Sequence, residues 1–194
     1  NSDIGLYKFR RELIEELIRR KNEVYIAAPE GEYHNDIVTL GCTYLVTPLE
    51  RRGMNPGKDF GLFLRYYKLL KIIKPDYVLT YTIKPNIYGG IACRLRRIPY
   101  AINITGLGTV FQKAGMIRSL VVQMYKTAGK KAHTIFFENA GNYKGFSLEG
   151  LVREEQVCVL NGAGVNLDYY EYLPYSESEV IHFLFVGRIM KEKG

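Results

Sequence analysis

The feature that most constrains this chain is a rhythm. Short apolar runs without polar alternation are separated by longer stretches whose apolar residues recur every three or four positions. The runs are Glu23–Ala28 (EVYIAA), Thr43–Leu49 (TYLVTPL), Tyr77–Tyr81 (YVLTY), Tyr100–Thr105, Thr134–Glu138, Val157–Leu160 and Ile181–Val186. The helical stretches are 4–20, with Ile4, Leu6, Phe9, Leu13 and Leu17 in step, and 59–73, through Phe60, Phe63, Tyr67 and Leu70. Two more run from Pro85 to Leu95 and from Met116 to Lys131. Strands that are apolar on both faces belong in a parallel sheet covered on both sides. Parallel neighbours need crossover connections, and helices of this length supply them. The expected fold is α/β, a doubly wound Rossmann-like parallel sheet, with ligands at the carboxyl ends of its strands.

The pattern also suggests boundaries. Residues 1–172 read as one domain, 173–180 (LPYSESEV) as a short polar linker, and 181–194 as the opening of a second domain. Folds of this class normally begin with a strand at the centre of the sheet, and this chain begins with a helix. The first strand therefore looks missing, and FLFVGRIMKEKG looks like the start of a truncated unit. Two arrangements would repair the sheet. Residues 181–186 fill the vacant place, within one chain or by exchange in a homodimer, or a strand precedes this numbering.

Charge narrows the partners. Of the 194 residues, those from 76 to 131 hold nine Lys/Arg against one Asp, in a chain of net charge +7. Such a segment suits a surface that meets anionic matter. No apolar run reaches the roughly 18 residues of a membrane-spanning helix. Cys42, Cys93 and Cys158 are odd in number and lack CxxC spacing, and His34, His133 and His182 are scattered. Neither a disulfide framework nor a metal site is expected, and a reducing cytoplasm fits.

Four segments carry candidate chemistry. Arg51-Arg52-Gly53 follows a strand, and paired arginines form bidentate bonds to phosphate. In TYTIKPNIYGG a strand runs into a helix near Pro85, with Lys84 and Asn86 beside its free N–H groups. NITGLGT places Thr105, Gly106 and Gly108 in a tight loop after a strand. In GRIMKEKG, Arg188 and Lys193 could clamp a diphosphate. GxGxxG is absent from these loops, which weighs against the alternative of a dinucleotide-binding oxidoreductase domain.

Together, PLERRGMNPGKD, TIKPNIYGG followed by ITGLG, and GAGVNLDYY followed by FVGRIMKEKG resemble family-four glycosyltransferases of the GT-B fold. The nearest subgroup is the bacterial enzymes of capsular, O-antigen and lipid-linked oligosaccharide synthesis. The resemblance implies two Rossmann-like domains, the first for the acceptor and the second for a nucleotide-sugar. It implies a retaining hexosyl- or N-acetylhexosaminyltransferase without cofactor or metal, using a nucleotide-sugar, UDP-linked, as co-substrate. Arg188 and Lys193 would bind the donor diphosphate. Gly5, Arg51, Arg52, Lys84, Asn86 and Gly108 would lie on the acceptor side. Many members carry a histidine in the loop after the fourth strand, where it contacts the donor sugar. Here that place holds Thr105, with Gly106 next to it, and backbone N–H groups would take over. The implied acceptor is a saccharide on undecaprenyl diphosphate. The implied location is cytoplasmic, peripheral on the inner face of the bacterial membrane, where the basic surface meets anionic lipid and no nucleic acid. An isolated, non-catalytic acceptor-binding domain is the other reading of this stretch of sequence. Arg51, Arg52, Lys84 and Arg94 are expected to cluster near the strand carboxyl ends or on one adjoining face.

Overall fold

Helix and strand alternate through the residues described by the computed structural model, which are 2–50, 55–108, 111, 115–174 and 180–187. The first helix, α1 (Asp3–Arg19), starts where the Ser2 hydroxyl accepts the N–H of Gly5 at 3.3 Å, a cap that satisfies one of the helix's orphan donors. It leads into β1 (Tyr25–Ala28), α2 (His34–Thr39) and β2 (Thr43–Val46). Ile14 of α1, Ile37 of α2 and Cys42 form a small buried cluster, with Leu6, Ile18, Ile26 and Tyr44 packed around it. Phe9 and Leu13 belong to the same apolar stripe in sequence. They are 58% and 40% exposed and point elsewhere.

The next helix, α3 (Pro56–Ile73), is capped by Asn55, whose side-chain oxygen accepts from Gly57 and Lys58 at 3.0 and 3.2 Å. It stops at Lys74, which takes a left-handed φ of 50° ahead of Pro75. Then follow β3 (Val78–Tyr81), a π-helical turn (Pro85–Gly89) continuing into α4 (Gly90–Arg96), and β4 (Tyr100–Ile104). The chain goes on through α5 (Met116–Gly129), β5 (Thr134–Phe137), α6 (Ala140–Leu148) and β6 (Val157–Val159).

All pairings are parallel, in the order β3-β4-β5-β6. Every residue of β4 is buried, Asn103 included, as a strand covered on both faces requires. Tyr100, Ile102, Ile104, Ile135 and Phe137 meet Val122 and Tyr125 of α5 and Phe146 of α6 in the main core. Burying each such side chain is worth about 1.5–3 kcal/mol. The two glycines of TIKPNIYGG are packing residues. A Cβ on Gly90 would stand 3.3 Å from the Ala128 Cβ and 3.4 Å from the Tyr100 ring, and one on Gly89 would stand 3.2 Å from Thr80.

The sheet is in two parts: β1 and β2 pair with each other and form a separate two-stranded sheet, and some segments differ from a reading by pattern. The helices α2 and α6 escape a reading by periodicity, because they are short and rich in polar residues and glycine. Ile181–Val186 forms no strand, and Ile181, Phe183, Leu184 and Val186 are at least 80% exposed. An apolar run has strand propensity, but a strand exists only where a neighbour takes up its backbone groups. The chain divides into a unit of residues 1–164 and a smaller one of 165–194 that contains this segment.

Candidate functional site

In a doubly wound sheet, ligands meet the loops beyond the carboxyl ends of the strands. Here these loops begin at Thr82 after β3, Thr105 after β4, Glu138 after β5 and Leu160 after β6.

The loop after β3 is strained. Thr82 has φ 71°, rare for a β-branched residue, and its hydroxyl is buried without a hydrogen-bond partner among the described residues. Left-handed backbone at such a residue costs of order 1–3 kcal/mol and is held by its surroundings. The clamps are visible. The Thr82 carbonyl accepts the Asn86 N–H at 2.9 Å. The Asn86 side-chain amide donates to the Asn103 carbonyl at 2.8 Å, tying the helix start to β4. Asn86 is 1% exposed, so it acts from inside the loop.

Lys84 also turns inward. Its ammonium donates to Asp59 of α3 at 2.6 Å, and the two side chains are only 13% and 15% exposed. The same carboxylate lies against Tyr88, whose phenol is pushed up to about 12, chiefly by burial. Arg94 lies in the last turn of α4, where it donates to the Thr127 carbonyl at 3.2 Å. Arg94 thus lies near the far end of the helical segment that begins beside Lys84.

The loop after β4 begins with Thr105, which is exposed, and Gly106, where a side chain would meet nothing within 4 Å. Leu107 anchors it by packing on the main core. Gly108 has φ 67°, and a Cβ there would be 2.9 Å from the Ile83 side chain. Of the two glycines in ITGLG, the second is the one whose conformation and space exclude a side chain.

One constellation was invisible in the sequence. Arg10 of α1 forms a largely buried ion pair with Glu138, just beyond β5, and lies 5.0 Å from the centre of the Tyr81 ring at the end of β3. The partners are 128 positions apart, so no spacing rule could have joined them. A cleft of about 340 Å³ opens beside them between α1 and the sheet, walled by Phe9, Leu13, Leu79, Tyr81 and Asn103. The Asn103 side-chain oxygen is buried there without a partner among the described residues. Gly5 sits in the first turn of α1. Arg51, Arg52, Arg188 and Lys193 lie outside the described residues. Among the described residues, no three His, Cys, Asp or Glu side chains are grouped to hold a metal ion.

Residues 6–139 match the profile of the family described as Glycosyl transferase 4-like. The chain belongs to this family. It is 32% identical over 181 residues to the N,N'-diacetylbacillosaminyl-diphospho-undecaprenol alpha-1,3-N-acetylgalactosaminyltransferase of Campylobacter jejuni. The alignment takes in 90% of this chain and 47% of that protein, so the chain spans about half the length of this relative. Among solved structures, Anabaena Alr3699/HepE in complex with UDP-glucose superposes with a TM-score of 0.61 at 15% identity, over 84% of this chain and 42% of that one. A UDP-N-acetylglucosamine 2-epimerase superposes with a TM-score of 0.54 at 18% identity, over 78% of this chain and 45% of that one. Likeness at this level of identity shows the shared fold. The expected family and the N-terminal half of a GT-B fold are both borne out.

Proposed function

We propose that the chain is the acceptor-side half of a glycosyltransferase that moves a sugar from a nucleotide-sugar to a lipid-linked saccharide. The observation that carries this reading is the relative from Campylobacter jejuni. It shares 32% of aligned residues over 90% of the chain, and its name specifies an acceptor on undecaprenyl diphosphate. The donor is UDP-linked, an N-acetylhexosamine or a hexose, and the product keeps its anomeric configuration.

The chemistry assigned to the chain is electrostatic. Arg188 and Lys193 neutralise the departing diphosphate, where charge develops in the transition state. Thr105 and the N–H groups of Gly106 and Gly108 line the acceptor side of the reacting centre. Arg51 and Arg52 meet the acceptor diphosphate. Lys84, held by Asp59, and Asn86, bonded to β4, position the loop after β3, with Gly5 at the mouth of α1.

Attachment to the membrane is peripheral, on its cytoplasmic face. Among the described residues no helix is long and apolar enough to cross a membrane. At the start of α5, Met116, Ile117 and Leu120 are 91%, 51% and 60% exposed. They lie in the segment that holds nine basic residues against one acidic residue. Apolar insertion combined with basic charge is what binds an interfacial surface to anionic lipid.

The test uses protein expressed from its whole reading frame, UDP-linked N-acetylhexosamines and hexoses, and a saccharide on undecaprenyl diphosphate. Labelled sugar should appear in the lipid fraction. Arg188→Ala should lower turnover by about 2–4 kcal/mol of transition-state stabilisation. Absence of transfer from every UDP-sugar would refute the reaction, and near-normal turnover in Arg188→Ala would remove that residue from the site.

A further inference from the structure

Registered neighbours in a sheet carry their side chains on the same face. Tyr81 pairs with Asn103, and Asn103 with Phe136, so these three stand in one row across β3, β4 and β5. Leu79 and Ala101 form the row behind them. The helices α4, α5 and α6 pack on the opposite face, where Ile102, Ile104, Ile135 and Phe137 point. The helix α1 approaches the face of Tyr81 and Asn103, and the cleft of about 340 Å³ lies between them. Its floor is low at Ala101, which carries only a methyl group. Ligand pockets run from about 300 to about 1,000 Å³, so this one suits a single monosaccharide.

Two kinds of polar group face this largely apolar space. Asn103 is 8% exposed, and its side-chain oxygen is buried without a partner among the described residues. An acceptor in that position calls for an N–H or O–H from whatever fills the cleft. Arg10 supplies the opposite kind. Its guanidinium donates to the Phe9 carbonyl at 3.0 Å and to Glu138, and it has further N–H groups beyond those bonds. The Tyr81 ring beneath it and Glu138 beside it fix its direction. Glu138 already neutralises its charge, and Glu12 also lines the cleft. The cleft therefore favours a neutral acceptor over an anion. A neutral group that offers a carbonyl and an N–H side by side, with a small apolar end, is a secondary amide.

We infer that this cleft is a saccharide subsite that holds the acetamido group of an N-acetylated sugar. The acetamido N–H donates to the Asn103 side-chain oxygen, its carbonyl accepts from Arg10, and its methyl lies against Leu13, Leu79 and Phe136. The inference rests on the acceptor-side reading of the chain. It makes Arg10 and Asn103 the residues that select an acetamido acceptor over its hydroxyl analogue. A site built to hydrogen-bond a substrate N–H rejects the analogue that lacks it, because the buried partner is left unpaired.

The test uses protein expressed from its whole reading frame and two soluble probes that differ only in the group on the second carbon. They are methyl 2-acetamido-2-deoxy-α-D-glucopyranoside and methyl α-D-glucopyranoside. Binding is read by saturation-transfer NMR without any donor. The acetyl methyl should be the most strongly saturated group, and the acetamido sugar should bind at least roughly tenfold more tightly. Leu13→Trp fills the cleft from a residue that is 40% exposed, and Asn103→Leu removes the acceptor at similar volume. Each should cut the preference to roughly twofold or less. If Asn103→Leu fails to fold, Leu13→Trp decides. Equal binding of the two probes by the unaltered protein, or a preference that survives in either folded variant, overturns the inference. Transfer is measured separately, with N-acetylhexosaminyl and hexosyl diphosphoundecaprenol as acceptors. A binding preference without transfer from any UDP-sugar supports the subsite and refutes the reaction. Transfer without the binding preference supports the reaction and refutes the subsite.

Discussion

Lys84 carries a full charge at the loop after β3, and Asp59 neutralises it in a mostly buried pair. Breaking such a pair leaves one charge uncompensated, which costs about 3–5 kcal/mol, whereas replacing both partners by apolar groups costs far less. Lys84→Met should therefore lower the urea midpoint strongly, and Lys84→Met/Asp59→Leu should recover most of the loss. If the double variant is as unstable as the single one, the pair is not the main tie. Alkaline stability is also a residue-scale property. Burial pushes Cys93 and Tyr100 each up to about 12. In the unfolded chain they ionise near their ordinary values of about 8.5 and about 10. The folded state thus binds protons the unfolded state has released. Its stability is complete below the unfolded values and is lost as pH rises toward the folded ones. Urea midpoints should hold to about pH 8.5 and fall steadily between pH 9 and 12, with buried-tyrosine ionisation appearing together with unfolding. Ionisation of Tyr100 well before loss of structure would contradict this.

At the scale of elements, the passage from β3 into α4 is held by close contacts that a helix propensity scale would not predict. Alanine favours helix over glycine by roughly 1 kcal/mol. At Gly90 the added Cβ would press on Ala128 and on the ring of Tyr100. Tyr100 has little room to yield, since it is 1% exposed and its hydroxyl donates to the Ala128 carbonyl. Overpacking of this kind costs about 1–3 kcal/mol. Gly90→Ala should therefore destabilise on balance, measured by thermal or urea unfolding, while Gly61→Ala on α3, where nothing lies within 4 Å, should be neutral or stabilising. A stabilised Gly90→Ala would show that α4 and α5 can move apart freely.

At the scale of the whole molecule, the proposed membrane attachment is tested through the basic segment and the exposed apolar start of α5. Sedimentation with anionic vesicles should fall by about tenfold or more in Met116→Asp/Leu120→Asp, because burial of apolar side chains is lost. Charge reversal at Arg51 and Arg52 should weaken sedimentation more at low than at high salt, since surface charges are screened over about 10 Å at 0.1 M. Binding unchanged by both sets of substitutions would remove these residues from a membrane surface.

The sequence alone was enough for the fold class. Apolar runs without alternation can be buried only on both faces, and that fixes a parallel sheet with crossover helices. It also showed the family, because TIKPNIYGG, ITGLG and the segments after them are local patterns. It marked Gly108, whose residue type is dictated by backbone and space. The roles of side chains that find partners far along the chain were out of reach. Lys84 reads as a free cation until α3 brings Asp59 to it. Arg10, Tyr81 and Glu138 share nothing in sequence and meet only because α1 crosses the sheet. Ile181–Val186 reads as a strand, yet no ladder receives it. Local pattern sets which conformations a segment favours. Ion pairs and strand pairing depend on which distant groups arrive beside it, and only the tertiary structure decides that.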